Sequence, residues 1–585
     1  MNKINYQKRF SILLLITFFS VFSGSSHADK NDANINTNYD SIYYFQKSSK
    51  TFKVSNFTPN GKLFYLAKIW GVLYYHPILN SDNVDLSDLE NKSKISNVEF
   101  KNYVSKLFEK LIINEKFKHF IETKEDSLLH VFTLINNEWL NDTTYINNDI
   151  ALKIKYLQYG LNGKANSENT LSQSENGLIE YNNPLDVSNN DFPDENLRLA
   201  GLFHYWNFIN YFYPYKNMID KNWDEVLFVC INDFLVANNK ISYGKAILKL
   251  IANLDDNNSK VSSTEDLTSI FGNYVPNFRI RKIDNNYYIS TFRAKDLDSY
   301  GLKIGDKIIS LNGTKIEKLD SLMRPFLSGG NPESKQREIN KFILVNINEY
   351  NGIEILRNNK LIKKQIQFYN YAVLKDASRM YEKDWENKTS VVWYPNNIAY
   401  LNMNHLFENN FDRNAAEILN SSGYILDMRG FHNDGVAHKI IELLTKKTLC
   451  EQSSIYPDVY YPGVLKSTSN IPKVSDSIIY KNKVVLIVDE STQGHAEYVV
   501  EIFKNKLKTK IIGNTTAGSS GEVASFVFPG NVKVELTGVG INYCNKSTLQ
   551  RVGVELDSTI NYNAEYLEQG RDIMIETALK IAASK

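Results

Sequence analysis

The stretch Lys483-Val484-Val485-Leu486-Ile487-Val488-Asp489-Glu490-Ser491-Thr492-Gln493-Gly494-His495-Ala496-Glu497-Tyr498 carries the reading of the fold. Its first part is a short, continuously apolar run, the pattern of a strand buried on both faces of a parallel sheet. Ile398–Met403, Gly423–Arg429 and Lys510–Gly513 are further runs of this kind, separated by helical stretches. Strand and helix alternating in this way predict an α/β domain over residues 388–585. Ala496 and Glu497 open one of the helices, with Ser491 or Thr492 as its N-cap.

Toward the N-terminus the pattern changes. Over residues 274–370, Phe278-Arg279-Ile280-Arg281 alternates apolar and polar side chains, and Tyr287–Phe292 is aromatic and β-branched. Asp284-Asn285-Asn286 turns between them, which predicts paired strands. The string Gly301-Leu302-Lys303-Ile304-Gly305-Asp306-Lys307-Ile308-Ile309-Ser310-Leu311-Asn312-Gly313-Thr314 adds glycines before a buried strand and an Asn-Gly hairpin signal. It resembles the PDZ module, whose exposed sheet edge and adjoining groove take peptide C-termini by strand addition. The resemblance assigns peptide binding to Gly301, Leu302, Gly305 and Asp306, and a helix over Lys335–Val345 completes the module. Residues 197–273 read as helical, residues 167–196, rich in Ser, Asn, Asp and Pro, as a linker, and residues 29–166 as a further helical region. Leu63–Pro77 and Leu199–Pro214 echo each other, with Trp70 and Trp206 as matching anchors and Pro77 and Pro214 ending each helix.

Three observations bound the class of function. The 585 residues hold 67 basic and 66 acidic side chains, which leaves no field to hold a nucleic-acid backbone. Lys3, Lys8 and Arg9 precede the apolar Phe10–Phe22 and the small-x-small site Ser26-His27-Ala28, so residues 1–28 read as an export leader cleaved after Ala28. This predicts a periplasmic or extracellular protein, and no later run is long enough for a membrane span. Cys230, Cys450 and Cys544 have no zinc-ligand spacing, and His432 and His438 around Asp434 match no ligand pattern, so no metal or other cofactor is expected. Cys230 reads as buried, and pairing of Cys450 with Cys544 stays open.

The chain is similar to the tail-specific, or C-terminal processing, serine peptidases and their tricorn relatives, in particular an exported bacterial subgroup. Tyr424-Ile425-Leu426-Asp427-Met428-Arg429-Gly430, Val484–Glu490, Ile511–Gly518 and Gly553-Val554-Glu555-Leu556-Asp557 carry the resemblance. It implies a multidomain α/β protein: helical N-terminal modules, a PDZ-like β-rich domain and a crotonase/ClpP-like peptidase-type domain. Such a peptidase needs an activated hydroxyl, a base and an oxyanion site. The resemblance places the nucleophile at Gly494, and the base at Asn258 in one branch or within Ala517–Gly521, around Ser519, in the other. None of these residues attacks a carbonyl as its relatives do. The expected function is therefore binding of polypeptide segments or C-termini without cleavage. Two alternatives stay open: an active endopeptidase relying on Ser491, Thr492 or Ser519 with His495, and a small-ligand carrier. Gly430 and Gly435, beyond Asp427 and Arg429, are candidates for an oxyanion loop, with turn closure as their other role.

Overall fold

Thr58 opens the first long helix, α1 (Pro59–Tyr75), by accepting the Gly61 N–H at 3.1 Å, and Pro59 occupies a helical position that needs no N–H. The computed structural model describes residues 39–42, 52–54, 58–76, 84–113, 115–131, 133–159, 171–181, 192–262, 270–294, 297–372, 374, 390–430, 434–445, 452–470, 482–506, 509–542 and 548–584. The expected leader, Cys450, Cys544 and His432 lie outside them. Two compact units result, one from residues 1–253, 453–469 and 522–540, the other from residues 254–452, 470–521 and 541–585.

The first unit is mainly helical: α1, α2 (Asn97–Leu107), α3 (Glu115–Val131), α4 (Asn148–Gln158), α5 (Glu195–Phe212), α6 (Trp223–Val236) and α7 (Lys240–Ile251). The two echoing segments form α1 and α5, which pack on each other. They approach closely at Gly71, where a Cβ would lie 1.9 Å from Asn207 Oδ1. The Asn207 amide uses that proximity to donate to Ala67 O and Phe203 O, both at 2.9 Å. Trp70 stacks on Tyr74, and Trp206 exchanges indole hydrogen bonds with the backbone at Trp223 across rings only 6° apart. Lys68 is buried beside Phe64, Trp139 and Trp206 and pairs with Asp224 at 2.6 Å. Burial pushes that ammonium below its usual range, against the pull of Asp224.

The apolar alternation in Glu522–Phe528 continues through a hairpin into Val532–Asn542. Phe526 and Phe528 pack on Tyr205 of α5, and the Tyr243 hydroxyl donates to Pro529 O at 3.1 Å. Residues 522–540 thus join the helical unit, although they lie within the sequence span of the α/β domain. Part of the linker stretch also has structure, because Leu171–Gln173 pairs with Ile179–Tyr181.

Among the described residues the second unit holds two large sheets and the small pair Tyr274–Val275 with Tyr369–Asn370. One has the order β5-β4-β3-β2-β1, built from β1 (Phe278–Ile283), β2 (Asn286–Phe292), β3 (Lys307–Leu311), β4 (Tyr350–Arg357) and β5 (Lys360–Gln367). Two helices, α8 (Ile316–Met323) and α9 (Pro332–Phe342), accompany it, and α9 packs against the edge strand β1. The other sheet runs in sequence order: β6 (Val391–Tyr394), β7 (Ile398–Asn402), β8 (Gly423–Asp427), β9 (Lys483–Val488), β10 (Thr509–Gly513) and β11 (Ser558–Thr559). Its pairs are parallel from β7 onward.

Alternate residues of β7–β9 face opposite ways. Leu401, Leu426 and Leu486 pack with α10 (Glu408–Leu419), α11 (Asp434–Thr445) and α12 (His495–Lys506). Tyr400, Ile425, Val485 and Ile487 pack with the last helix, α14 (Ile573–Ala583), which comes after α13 (Ala564–Glu568). This double coverage explains the unbroken apolar runs. The five apolar residues Val484–Val488 are each no more than 1% exposed. At about 1.5–3 kcal/mol per buried aliphatic side chain, they anchor β9 with roughly 10 kcal/mol and fix the position of the turn at its end.

Candidate functional site

At the end of β9 the chain makes a sharp strand-turn-helix elbow. The Asp489 carboxylate accepts the Ser491 N–H at 2.8 Å and the Ser491 hydroxyl, while Thr492 donates its N–H to Asp489 O at 2.9 Å. Thr492 Oγ1 in turn donates to Met428 O on the neighbouring chain segment at 3.2 Å. The turn ends at Gly494, with φ +60, and α12 starts at the next residue. Among the described residues, a Cβ built on Gly494 would meet no atom within 4 Å. The elbow therefore points its left-handed residue into open space. A glycine there avoids the strain of about 1–2 kcal/mol that an L side chain brings, and leaves no hydroxyl.

One turn into α12, Glu497 is fully buried and accepts four hydrogen bonds. They come from the Thr516 hydroxyl at 2.5 Å, Gly518 N–H at 2.8 Å, Ser519 N–H at 2.9 Å and Gly494 N–H at 3.0 Å. Burial pushes its carboxyl up to about 7, against the opposing pull of those donors. Ser519, one of the two positions at which the resemblance expects a base, is thus drawn to the elbow by its backbone and is 2% exposed. The other base position arrives by a second route. Asp255, at φ +50, starts a tight turn in which Asn258 N–H donates to Asp256 Oδ1 at 3.1 Å. The adjacent Asn257 amide donates to Ala517 O at 2.6 Å, and its carbonyl accepts Gly330 N–H at 3.1 Å. Hydrogen bonds therefore link the neighbourhoods of Asn258, Ser519 and Gly494, which lie far apart in sequence.

The substitute groups are less well placed. The Ser491 hydroxyl is engaged by Asp489, as a turn-closing contact rather than a link to a base. His495 is the first residue of α12, with its ring 5.6 Å from that of Tyr498, while the nearby Glu497 is committed to its four donors. Gly430 has φ +69 and Gly435 lies in the first turn of α11. Just before them, Asp427 is held by Arg429 in a two-pronged pair and by the Tyr400 hydroxyl at 2.7 Å, and Arg429 reaches Asp572 at 2.8 Å. That pairing closes the end of β8. Among the described residues no cluster of His, Cys, Asp and Glu has the makings of a metal site, and Cys230 is free and buried.

Two arginines that sequence reading passed over complete the site. Arg281 on β1 pairs with Glu490 at 2.7 Å and Asp489 at 3.5 Å, and lies 3.6 Å over the Tyr562 ring. Arg337 on α9 donates to Glu490 O at 2.6 Å and Gln493 Oε1 at 2.7 Å. Burial opposes ionisation of Asp489, but Arg281 and Arg429 hold its carboxyl below the usual range, while burial and Asp489 push Glu490 up. Both β1 and the helix beside it thus reach the residues just before Gly494. The Gly301–Asp306 loop lies elsewhere, between β2 and β3. Asp306 is held by Arg357 at 2.5 and 2.6 Å and by Lys303 N–H at 2.7 Å. Gly305, at φ +90, abuts α13, where a Cβ would come 2.3 Å from Glu568 Cγ. Leu302 is buried. The contacts of this loop are internal bracing.

Residues 397–560 match the family model described as peptidase family S41. Among solved structures, mature CPAF in complex with lactacystin is similar with a TM-score of 0.52 and 11% identity, over 66% of this chain and 98% of that one. A second structure of mature CPAF gives a TM-score of 0.50 at 10% identity, over 66% of this chain and 96% of that one. At such identities the likeness concerns the fold. No curated protein matches the chain.

Proposed function

We propose, from the match of residues 397–560 to the peptidase family S41 model, that the chain binds extended polypeptide segments or protein C-termini without cutting them. The observation that carries this reading is Gly494. It sits where β9 and α12 would present a nucleophile, with open space around its missing side chain. Acyl transfer needs an oxygen or sulfur at such a point and a base beside it. Asn258 and Ser519 offer no base, and Ser491 is turned to Asp489. A polar framework remains, with no nucleophile at its centre.

The PDZ-like reading of the β1–β5 sheet belongs to the same proposal. Edge strand β1 with α9 beside it is the arrangement that accepts an added strand, main chain to main chain. Arg281 and Arg337 project from these two walls toward Glu490 and Gln493, so a peptide laid along β1 would run beside the Gly494 space. In this reading peptide contact belongs to β1 and α9, and Gly301, Leu302, Gly305 and Asp306 support the sheet. Export is proposed with it: protein recovered from cells should begin at Asp29, and an N-terminus at Met1 would remove the leader.

The test incubates the mature protein with an unstructured polypeptide and with a serine-directed phosphonate. The expectation is neither new termini nor covalent adduct. Cleavage and labelling that both vanish in Ser491→Ala or Ser519→Ala would replace binding by catalysis at relocated groups.

A further inference from the structure

We infer that the helical unit holds a second ligand site, a recess at the start of α6 that takes a small carboxylate. The recess lies between the turn at residues 133–136 and the segment from Asn210 to Asp224, and its volume is about 60 Å³. At about 10–15 Å³ per water on this measure, it has room for roughly four to six waters, or a group the size of acetate.

The lining groups divide into those already engaged and those that are not. Lys216 Nζ donates to Leu134 O at 2.5 Å, to Asn210 O at 3.1 Å and to Asn210 Oδ1, which makes it a strut across the recess. Asn222 Oδ1 caps α6 by accepting the Asp224 and Glu225 N–H groups at 2.9 and 3.4 Å. Asp224 is held by Lys68. Two buried polar atoms lining the recess have no partner among the described residues: Thr133 Oγ1, on a side chain only 9% exposed, and Asn217 Nδ2. Exposed Lys221 stands at the rim, with Nζ bonded to Asn253 Oδ1 at 2.7 Å.

An amide N–H can only donate, a hydroxyl can donate, and an ammonium only donates. The open capacity of the recess is thus a surplus of donors beside the ammonium groups of Lys216 and Lys221 and the positive end of a 14-residue helix. A ligand that satisfies it brings acceptor oxygens and negative charge. A carboxylate has two such oxygens and fits the volume. Leaving a buried donor unmatched is costly, so filling the recess removes a standing penalty. The carboxylate can come from a free small acid or from a polypeptide C-terminus.

Saturation-transfer NMR with acetate on the intact chain tests the assignment. Saturable transfer is expected, weakened about fivefold in Thr133→Val and in Asn217→Leu, the scale of one neutral hydrogen bond. Lys221→Gln, at an exposed position that leaves folding untouched, should weaken it about threefold. No saturable signal from the folded chain, equal affinity in all three variants, or competition by phosphate without acetate binding would overturn the proposal. Competition with a short peptide distinguishes the sources. A free-acid peptide binding more tightly than acetate identifies a C-terminus, and one binding no better identifies a small acid. An amidated peptide competing as well as the free acid would overturn the carboxylate assignment. Because the site lies in the helical unit, failure here leaves the polypeptide-binding proposal intact.

Discussion

The aromatic core of the helical unit and the elbow of the second unit bury polar groups in opposite ways. Around α1 and α5, His76 and His204 are enclosed by aromatic rings, and burial pulls them down to about 4 and about 3, which keeps both neutral at ordinary pH. Around the elbow, the buried carboxyls of Asp489 and Glu490 meet the half-buried Arg281, and Glu497 is surrounded by donors. A core that neutralises polar groups can be assembled from packing alone. A core that keeps them in a donor network must hold every partner in place.

The sharpest way to break this contrast is Glu497→Leu. It strips the acceptor from the buried Gly518 and Ser519 N–H groups, the half-buried Gly494 N–H and a buried hydroxyl, each costing about 1–3 kcal/mol when unmatched, so denaturant melts should show a loss of about 4 kcal/mol or more. An unchanged melt would mean the donors find other partners. On the helical side, Gly71→Ala drives a Cβ into Asn207 and should cost about 2 kcal/mol, within the range for overpacking. A cost well below that would show that α1 and α5 can slide apart.

Acidity separates the two regions by sign. His76 and His204 bind fewer protons folded than unfolded, so their contribution is complete above about 6.5 and lost as pH falls toward about 4 and about 3. Glu497 binds more protons folded, so its contribution is complete below 4.5 and lost as pH rises to about 7. Tryptophan fluorescence, weighted to the helical unit by Trp70, Trp139, Trp206 and Trp223, should show melting temperature falling with acid. A near-ultraviolet signal from tyrosines beside the elbow, read as the difference between the parent chain and Glu497→Gln, should carry the opposite slope between 4.5 and about 7. Slopes of the same sign would erase the distinction.

The smallest effect belongs to Gly494→Ser. Space is available, so the cost is the left-handed conformation alone, about 1–2 kcal/mol. Combined with Asn258→His it asks whether the framework still supports acyl transfer. Phosphonate labelling of the double variant would make the elbow a working scaffold, and absence of labelling would place the loss deeper than two side chains.

The strands of the parallel sheet were legible because burial on both faces writes continuous apolar runs, and β7, β8, β9 and β10 lie where such runs predict them. The S41 resemblance was legible in the same runs and the turns after them. Other parts were hidden for physical reasons. Alternation in Glu522–Phe528 announces a strand but does not name its partner, so its union with α5 needed the fold. Glu497 in a helix reads as a solvated acid until Thr516, Gly518 and Ser519 come round to meet it. Arg281 and Arg337 occupy polar positions of amphipathic elements, where sequence gives water and an ion pair the same pattern. The Gly301–Asp306 string announces a tight approach before a buried strand, but the tie from Arg357 to Asp306 spans 51 residues and has no local pattern.

For the elbow the proposal is binding without cleavage. Calorimetric titration of the mature chain with an unstructured polypeptide, and then mass measurement of the recovered ligand, tests it most directly. Saturable heat and a ligand of unchanged mass are expected. New termini, or no saturable heat at any concentration reached, would contradict it.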